Sequence, residues 1–298
     1  MKKSDNRTCF IFNVTARQGR SVKLLDWLRN EAEKRWDNYE IVVSGEDGHI
    51  PDHESYNFSN FDLIIACGGD GTAHHAAKLA LKYNSALGVL PVGSGNDFAK
   101  ALNMPTDNTS CLNILAEGNI KKVDLIWCGG DVESWCINTL GIGFDGLTNR
   151  YTSFYKRYFG AFGYYLGALH TTLVFGGREM EFRTAAETLN ENLLMVTACN
   201  GQVEGGSFQV APNAKIDDGL IDVLIIKPVF LPKLWYYLPK FKKRLPREMN
   251  EIKELRCKKF SVKSEKPLSV HADGEQLGND VRSLDVLIHE KILKVVIP

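Results

Sequence analysis

The chain has 298 residues, with 36 basic and 36 acidic side chains and 44% hydrophobic residues. That length and apolar content suit about two domains, each burying a core, and exclude a disordered chain or a lone small module. A formal net charge of zero disfavours a nucleic-acid binder that works through a uniformly basic field, while leaving local patches open.

The N-terminus, Met1 to Arg7, is charged, but only the short run Cys9 to Phe12 follows it, too little for the core of a signal peptide. No apolar run approaches the ~18 residues needed to span a bilayer, so the cytoplasm is the expected compartment. Cys9 to Asn13 reads as a strand, Arg20 to Trp36 as an amphipathic helix and Tyr39 to Val43 as a second strand. Asp62 to Ala66 and Ala86 to Pro91 read as two more strands, followed by helices over Ala73 to Tyr83 and Asp97 to Leu102. Each strand ends in a loop of Gly, Ser, Asn or Asp. The alternation predicts a parallel α/β domain over residues 1–125, with ligands at the carboxyl ends of its strands.

Over residues 126–298 the apolar runs are short and separated by turn signals, predicting a mainly antiparallel, β-rich domain. Its strands are Trp135 to Leu140, Arg178 to Arg183, Leu193 to Asn200, Leu220 to Ile226, Lys258 to Lys263, Leu268 to Ala272 and Leu284 to His289. Helical inserts are expected over Thr152 to Val174 and Leu231 to Glu254, and the last strand, Leu293 to Ile297, could return to the first domain. Seven cysteines, odd in number and without a C-x-x-C pair, argue against a disulfide framework and a zinc site. They read as small buried residues.

Two glycine loops carry the chemistry. Cys67-Gly68-Gly69-Asp70-Gly71-Thr72 joins a buried strand to a helix. Its glycines let backbone approach an oxyanion, and Thr72 is placed to cap the helix so that its N–H groups face a phosphate. The carboxylate of Asp70 beside a phosphate calls for a bridging cation such as magnesium. Pro91-Val92-Gly93-Ser94-Gly95-Asn96-Asp97 repeats the design after the next strand, so the two loops should lie side by side and span a polyphosphate. Neither is a Walker A sequence or a G-x-G-x-x-G.

These loops, with Pro212-Asn213-Ala214-Lys215-Ile216-Asp217-Asp218-Gly219-Leu220 and Asp273-Gly274-Glu275, resemble the diacylglycerol kinase catalytic domain family, which includes bacterial soluble lipid kinases and the sphingosine and ceramide kinases. The resemblance covers nearly the whole chain. It implies a phosphofructokinase- or NAD-kinase-like α/β domain, a β-sandwich-like second domain and an ATP site in a cleft between them. Carried over by motif, Asn13, Ser44, Gly68, Gly69, Asp70, Gly71, Thr72, Ala73 and Ser94 would contact ATP. The family's Asn-Pro after the first strand is absent; Asn13 is followed by Val14-Thr15-Ala16-Arg17-Gln18-Gly19.

Phosphoryl transfer needs positioning, charge neutralisation and a base near the acceptor hydroxyl. By resemblance, Asp70, Asp97 and Asp124 would form a network with magnesium and water, Asp124 reading otherwise as a turn residue or helix cap. Either Asp273 or Glu275 would be the base, although an Asp-Gly pair on its own is a hairpin signal. Lys215, Asp218 and Leu220 would hold a structural magnesium. The acceptor implied is a hydroxyl of diacylglycerol or a related membrane lipid. NAD kinase and a non-catalytic nucleotide- or lipid-binding regulator are the competing readings.

Two segments bear on lipid contact. Tyr151, Phe154, Tyr155, Tyr158, Phe159 and Phe162 have the spacing of a helix face packed into a core, part of which could wall an acyl-chain pocket. Lys233 to Lys266 carries twelve basic against four acidic residues and could rest on an anionic bilayer. The partners implied are a lipid substrate at the inner face of the membrane and no nucleic acid, with a homodimer left open. His74 and His75 have no ligand-spaced acid or Cys and read as exposed or capping residues.

Overall fold

In the computed structural model, which describes residues 3–14, 21–45, 56–159, 163–237 and 239–298, three strands among the first hundred residues are buried at every residue. They are Thr8–Phe12 (β1), Leu63–Gly68 and Ala86–Pro91. Strands buried on both faces belong to a parallel sheet with helices on each side. In chain order this unit contains β1, α1 (Ser21–Arg35), β2 (Tyr39–Val43), β3 (Leu63–Gly68), α2 (Asp70–Tyr83), β4 (Ala86–Pro91), α3 (Asp97–Ala101) and α4 (Asn108–Glu117). The sheet runs β2-β1-β3-β4, all parallel. Lys294 and Val295 pair with Ala86 and Leu87 on the outer edge of β4. The order reverses between β1 and β3, where α/β sheets bind ligands at their carboxyl ends.

The chain divides into two units, one of Met1–Asp124 with Lys291–Pro298 and the other of Leu125–Glu290. Strand β5 (Ile120–Gly130) carries the chain from one to the other. The second unit holds β6 (Ser134–Cys136), β7 (Thr139–Gly143), the helices α5 (Phe144–Phe159) and α6 (Gly163–Val174), then β8 (Arg178–Arg183), β9 (Thr188–Leu193), β10 (Met195–Cys199), β11 (Val203–Glu204), β12 (Phe208–Gln209) and β13 (Ile221–Ile226). Helix α7 (Leu231–Tyr237), β14 (Ile252–Cys257), β15 (Lys259–Ala272) and β16 (Glu275–Val296) follow. The order β14-β13-β10-β7-β15 is antiparallel throughout. Residues alternate between two apolar clusters: Val223 and Ile225 of β13 enter one, Leu224 and Ile226 the other. The fold is thus an α/β domain followed by an antiparallel, β-sandwich-like domain.

Several elements differ from the sequence expectation. Helix α4 and strand β5 were not anticipated, although Asp107 caps α4 by accepting from Ser110 N at 2.7 Å and Gly118 ends it in the left-handed region. The helix expected over 231–254 stops at Tyr237, and Pro239 and Pro246 account for it by removing donors and crowding the preceding turn. The runs Lys258 to Lys263 and Leu268 to Ala272 form one irregular strand, β15, and Leu284 to His289 is continuous with the last strand in β16. Trp135 to Leu140 is broken into β6 and β7. Thr15 to Arg20, Phe162 and Leu238 lie outside the described residues.

All seven cysteines are free and six are buried. Burial raises the thiols of Cys67, Cys136 and Cys199 well above the ordinary range, so they act as apolar filling. Among the described residues no helix is long and apolar enough to cross a membrane.

Candidate functional site

At the end of β1, Asn13 donates from Nδ2 to Thr72 Oγ1 at 3.2 Å and accepts from Ser44 Oγ at 3.4 Å. Ser44 Oγ in turn accepts the N–H of Val14 at 3.1 Å. Three separate strand ends are thereby tied together at the point where the sheet order reverses. Thr72 lies in the first turn of α2 rather than before it: the helix starts at Asp70, its cap is Gly69, and no side chain caps it. Its hydroxyl folds back over Gly68, where an added Cβ would stand 2.1 Å from Oγ1.

The second glycine loop touches the first. Val92 N and Gly93 N both donate to Gly68 O, at 3.1 and 3.0 Å. Asn96, at φ 55, staples its own loop by accepting from Gly93 N and donating to Gly93 O, both at 3.0 Å. A Cβ on Gly93 would lie 2.3 Å from Gly69 Cα and 2.9 Å from Gly69 N. Gly93→Ala is therefore expected to push the loops apart, lowering stability by about 1–3 kcal/mol and weakening nucleotide binding at least tenfold. A urea titration and an ATP titration check it; wild-type values in both would show that the loops need not touch.

Asp70 serves both loops. Its Oδ1 accepts from Asp97 N at 2.6 Å and from Phe98 N at 3.4 Å, capping α3 from outside, because Asn96 makes no side-chain cap. Its Oδ2 faces Gly95, where an added Cβ would lie 2.5 Å from that oxygen and 3.6 Å from Asp97 Oδ2. Carboxylate oxygens of Asp70 and Asp97 thus approach the same side of Gly95. Asp97 is buried, with Lys100 Nζ 3.1 Å from its Oδ1. Ser94 is exposed at the loop tip.

Asp124 is a fully buried residue within β5 and not in a turn, and its Oδ1 accepts from Lys291 N at 2.7 Å. Lys291 has φ 53, so Asp124 fastens the returning chain at an unusual backbone conformation. Of the residues expected to hold a structural magnesium, Asp218 has protein partners: its Oδ1 accepts from Leu220 N at 3.1 Å and its Oδ2 pairs with Arg256, whose guanidinium also reaches Asp222 at 3.2 Å.

The Asp273-Gly274 pair is the hairpin turn between β15 and β16, with φ 52 and 88. Asp273 is buried, and its carboxylate accepts from Ile137 N, Asn138 N and Thr139 N at 2.9, 2.8 and 3.1 Å and from Cys136 Sγ at 3.2 Å. Those donors are the break between β6 and β7. Glu275, two residues on, is exposed.

A cluster that the sequence reading missed lies on one face of the second unit's sheet. Thr197, Gly141 and His271 are cross-strand neighbours on β10, β7 and β15. Over bare Gly141, Asp145 of α5 and Glu204 of β11 reach His271 Nε2, with Oδ2 at 3.3 Å and Oε1 at 3.2 Å. Burial works against a charged His271 ring, but the two carboxylates outweigh it and hold its pKa up at about 10. The only sequence hint is a histidine between the core residues Val270 and Ala272.

Of the helical aromatics, Phe154, Tyr158 and Phe159 are exposed, correcting the expectation of a core-packed face; Tyr151 and Tyr155 pack on His170. His74 is buried and His75 half-buried, so neither is a surface residue. The basic segment is extensively paired: Lys233 with Glu251, Arg244 with Glu248 and Arg247 with Glu254, while Lys240 lies over the rings of Tyr236 and Tyr237. The acids in these pairs are among the four already counted, so the segment's excess of basic residues stands.

Comparison with known proteins agrees with this arrangement. The diacylglycerol kinase catalytic domain model matches residues 7–128, and the YegS C-terminal NAD kinase beta sandwich-like domain model matches residues 138–296. A "Probable lipid kinase YegS-like" of Chromohalobacter salexigens is 31% identical over 217 residues, covering 71% of this chain and 69% of that protein. A diacylglycerol kinase of Mycobacterium tuberculosis is 28% identical over 243 residues, covering 79% and 78%. The crystal structure of a diacylglycerol kinase from Bacillus anthracis aligns with a TM-score of 0.72 at 20% identity over 99% and 98% of the two chains. An NAD kinase from Archaeoglobus fulgidus aligns at 0.52 and 13% identity over 97% and 93%, a more distant likeness of fold. With both domain models matched in order over the glycine loops and the antiparallel unit, the chain belongs to the diacylglycerol kinase and YegS-like lipid kinase family.

Proposed function

We propose that this kinase transfers the γ-phosphate of ATP, with magnesium, to a hydroxyl of diacylglycerol or a related membrane lipid. The observation that carries the reading is the direct contact of the two glycine loops, with oxygens of Asp70 and Asp97 facing one space at Gly95. Backbone N–H groups of the loops and the start of α2 bind phosphate oxygens, and Asn13 and Ser44 hold the loops in register. Asp70 and Asp97 hold the metal, with Asp124 assigned to the same network by motif. Magnesium, when bound, neutralises charge that develops on the transferred group.

The acceptor hydroxyl must lose a proton, and Glu275 is the better assigned of the two acids. Asp273 spends its carboxylate on four donors of the β6–β7 connection, whereas Glu275 is exposed. Exposed Phe154, Tyr158 and Phe159 support an acceptor met at a bilayer surface, because aromatic side chains favour the interface. A named diacylglycerol kinase among the relatives supports the lipid class.

The test is incubation of purified protein with labelled ATP, magnesium and vesicles containing diacylglycerol or total lipid extract. A labelled phospholipid is expected, and Glu275→Gln should lower its formation about 10²–10⁴-fold with ATP affinity unchanged. Label appearing in NAD instead, or no labelled lipid despite ATP binding, would overturn the proposal. Wild-type turnover in Glu275→Gln would remove that residue from the base role.

A further inference from the structure

We propose that Asp145, Glu204 and His271 form a binding site for one divalent transition-metal ion of the zinc class, separate from the magnesium of phosphoryl transfer. Oδ2 of Asp145, Oε1 of Glu204 and Nε2 of His271 all lie within 4.8 Å of one another. The two edges to Nε2, 3.3 and 3.2 Å, match the spacing of about 3.3–3.5 Å between ligand atoms around a tetrahedral zinc with bonds of about 2.0–2.2 Å. One imidazole with two carboxylates is a donor set for zinc or a similar ion, since magnesium prefers oxygen alone.

The cluster is sheltered from solvent: His271 is 2% exposed, with its Nε2 aimed between the two carboxylates. Gly141 clears the space: a Cβ there would lie 2.3 Å from both Asp145 Oδ2 and His271 Nε2.

The surrounding contacts have the form of an outer shell. Thr197 Oγ1 donates to Asp145 Oδ2 and Thr139 Oγ1 to Glu204 Oε1, each at 3.2 Å. These contacts orient the two carboxylates toward the ring. Charge also favours the ion. A ring proton balances one of the two carboxylates, whereas a divalent ion beside a neutral ring balances both. Metal on Nε2 displaces that nitrogen's proton and leaves the other on Nδ1, beside the exposed Gly274. Three protein ligands leave a fourth position for water. The ion would join α5, β11 and the strand that leads into the Asp273 turn.

The full-length chain, stripped with EDTA and dialysed, is titrated with Zn²⁺ by calorimetry and with Co²⁺ by visible absorption. One ion per chain is expected, with micromolar or tighter affinity and d–d bands of a four-coordinate Co²⁺ complex. Asp145→Asn and Glu204→Gln, which keep the shape and the threonine contacts, should weaken binding at least about 10²-fold, with metal-free melting temperatures showing that both are folded. Failure of the wild type to bind Zn²⁺ or Co²⁺ at 100-fold excess would overturn the proposal and leave a proton-held triad. So would stoichiometric binding that both variants retain. If either variant fails to fold, the wild-type Co²⁺ spectrum decides. None of these readouts uses kinase turnover, so the site stands or falls apart from the lipid-kinase reading.

Discussion

Asp70→Asn is expected to lower turnover with ATP by about 10²–10³-fold, the scale on which one preorganised electrostatic group acts, while the protein stays folded. Asparagine retains an oxygen that can accept from Asp97 N and Phe98 N, so the external cap on α3 survives and stability should change by less than about 1 kcal/mol. What is lost is the negative charge on the oxygen facing Gly95, where Asp97 Oδ2 also points. The variant should bind ATP within a few-fold of wild type and recover part of its rate as magnesium is raised. Steady-state kinetics over a magnesium series, with thermal melts alongside, check this. Wild-type kcat would show that Asp70 only caps a helix.

Asp273→Ala is expected to cost about 3–5 kcal/mol of stability, the largest loss predicted for any single side chain here. Removing the carboxylate leaves the N–H groups of Ile137, Asn138 and Thr139 buried without their acceptor, at about 1–3 kcal/mol each before the loop relaxes. Alanine at φ 52 adds about 1 kcal/mol of backbone strain. Asp273→Asn should fall between, because asparagine tolerates the left-handed region and keeps one of the two acceptor oxygens. Urea unfolding of the three proteins measures the series. An unchanged midpoint in Asp273→Ala would mean that the β6–β7 connection does not depend on this residue.

The nucleotide loops were legible because their geometry is local. Each follows a fully buried strand, the two strands are parallel neighbours, and the contact of Gly69 with Gly93 follows from that adjacency. Asp273-Gly274 was legible as a hairpin for the same reason, but its carboxylate's partners lie on a distant connection that no spacing reveals. Asp145, Glu204 and His271 are far apart in the chain and meet only through the register of β10, β7 and β15. Other misses had visible signals. Asp107 and Gly118 mark both ends of α4, and Pro239 and Pro246 stop a helix that the aromatic and basic pattern suggested. In the basic segment a count of charges cannot show which carboxylate each of Arg244, Arg247 and Arg256 faces.

The last strand has a consequence for how the chain is made. Lys294 and Val295 complete the sheet of the first unit on the edge of β4, so that unit is assembled from segments some two hundred residues apart in sequence. During synthesis β4 must wait, with its edge unpaired, until the whole of the second unit has been made. An exposed parallel edge of that kind invites pairing with another chain, and contacts this far apart in sequence slow folding. The nascent protein is therefore most vulnerable to misassembly in the interval before Lys294 and Val295 emerge.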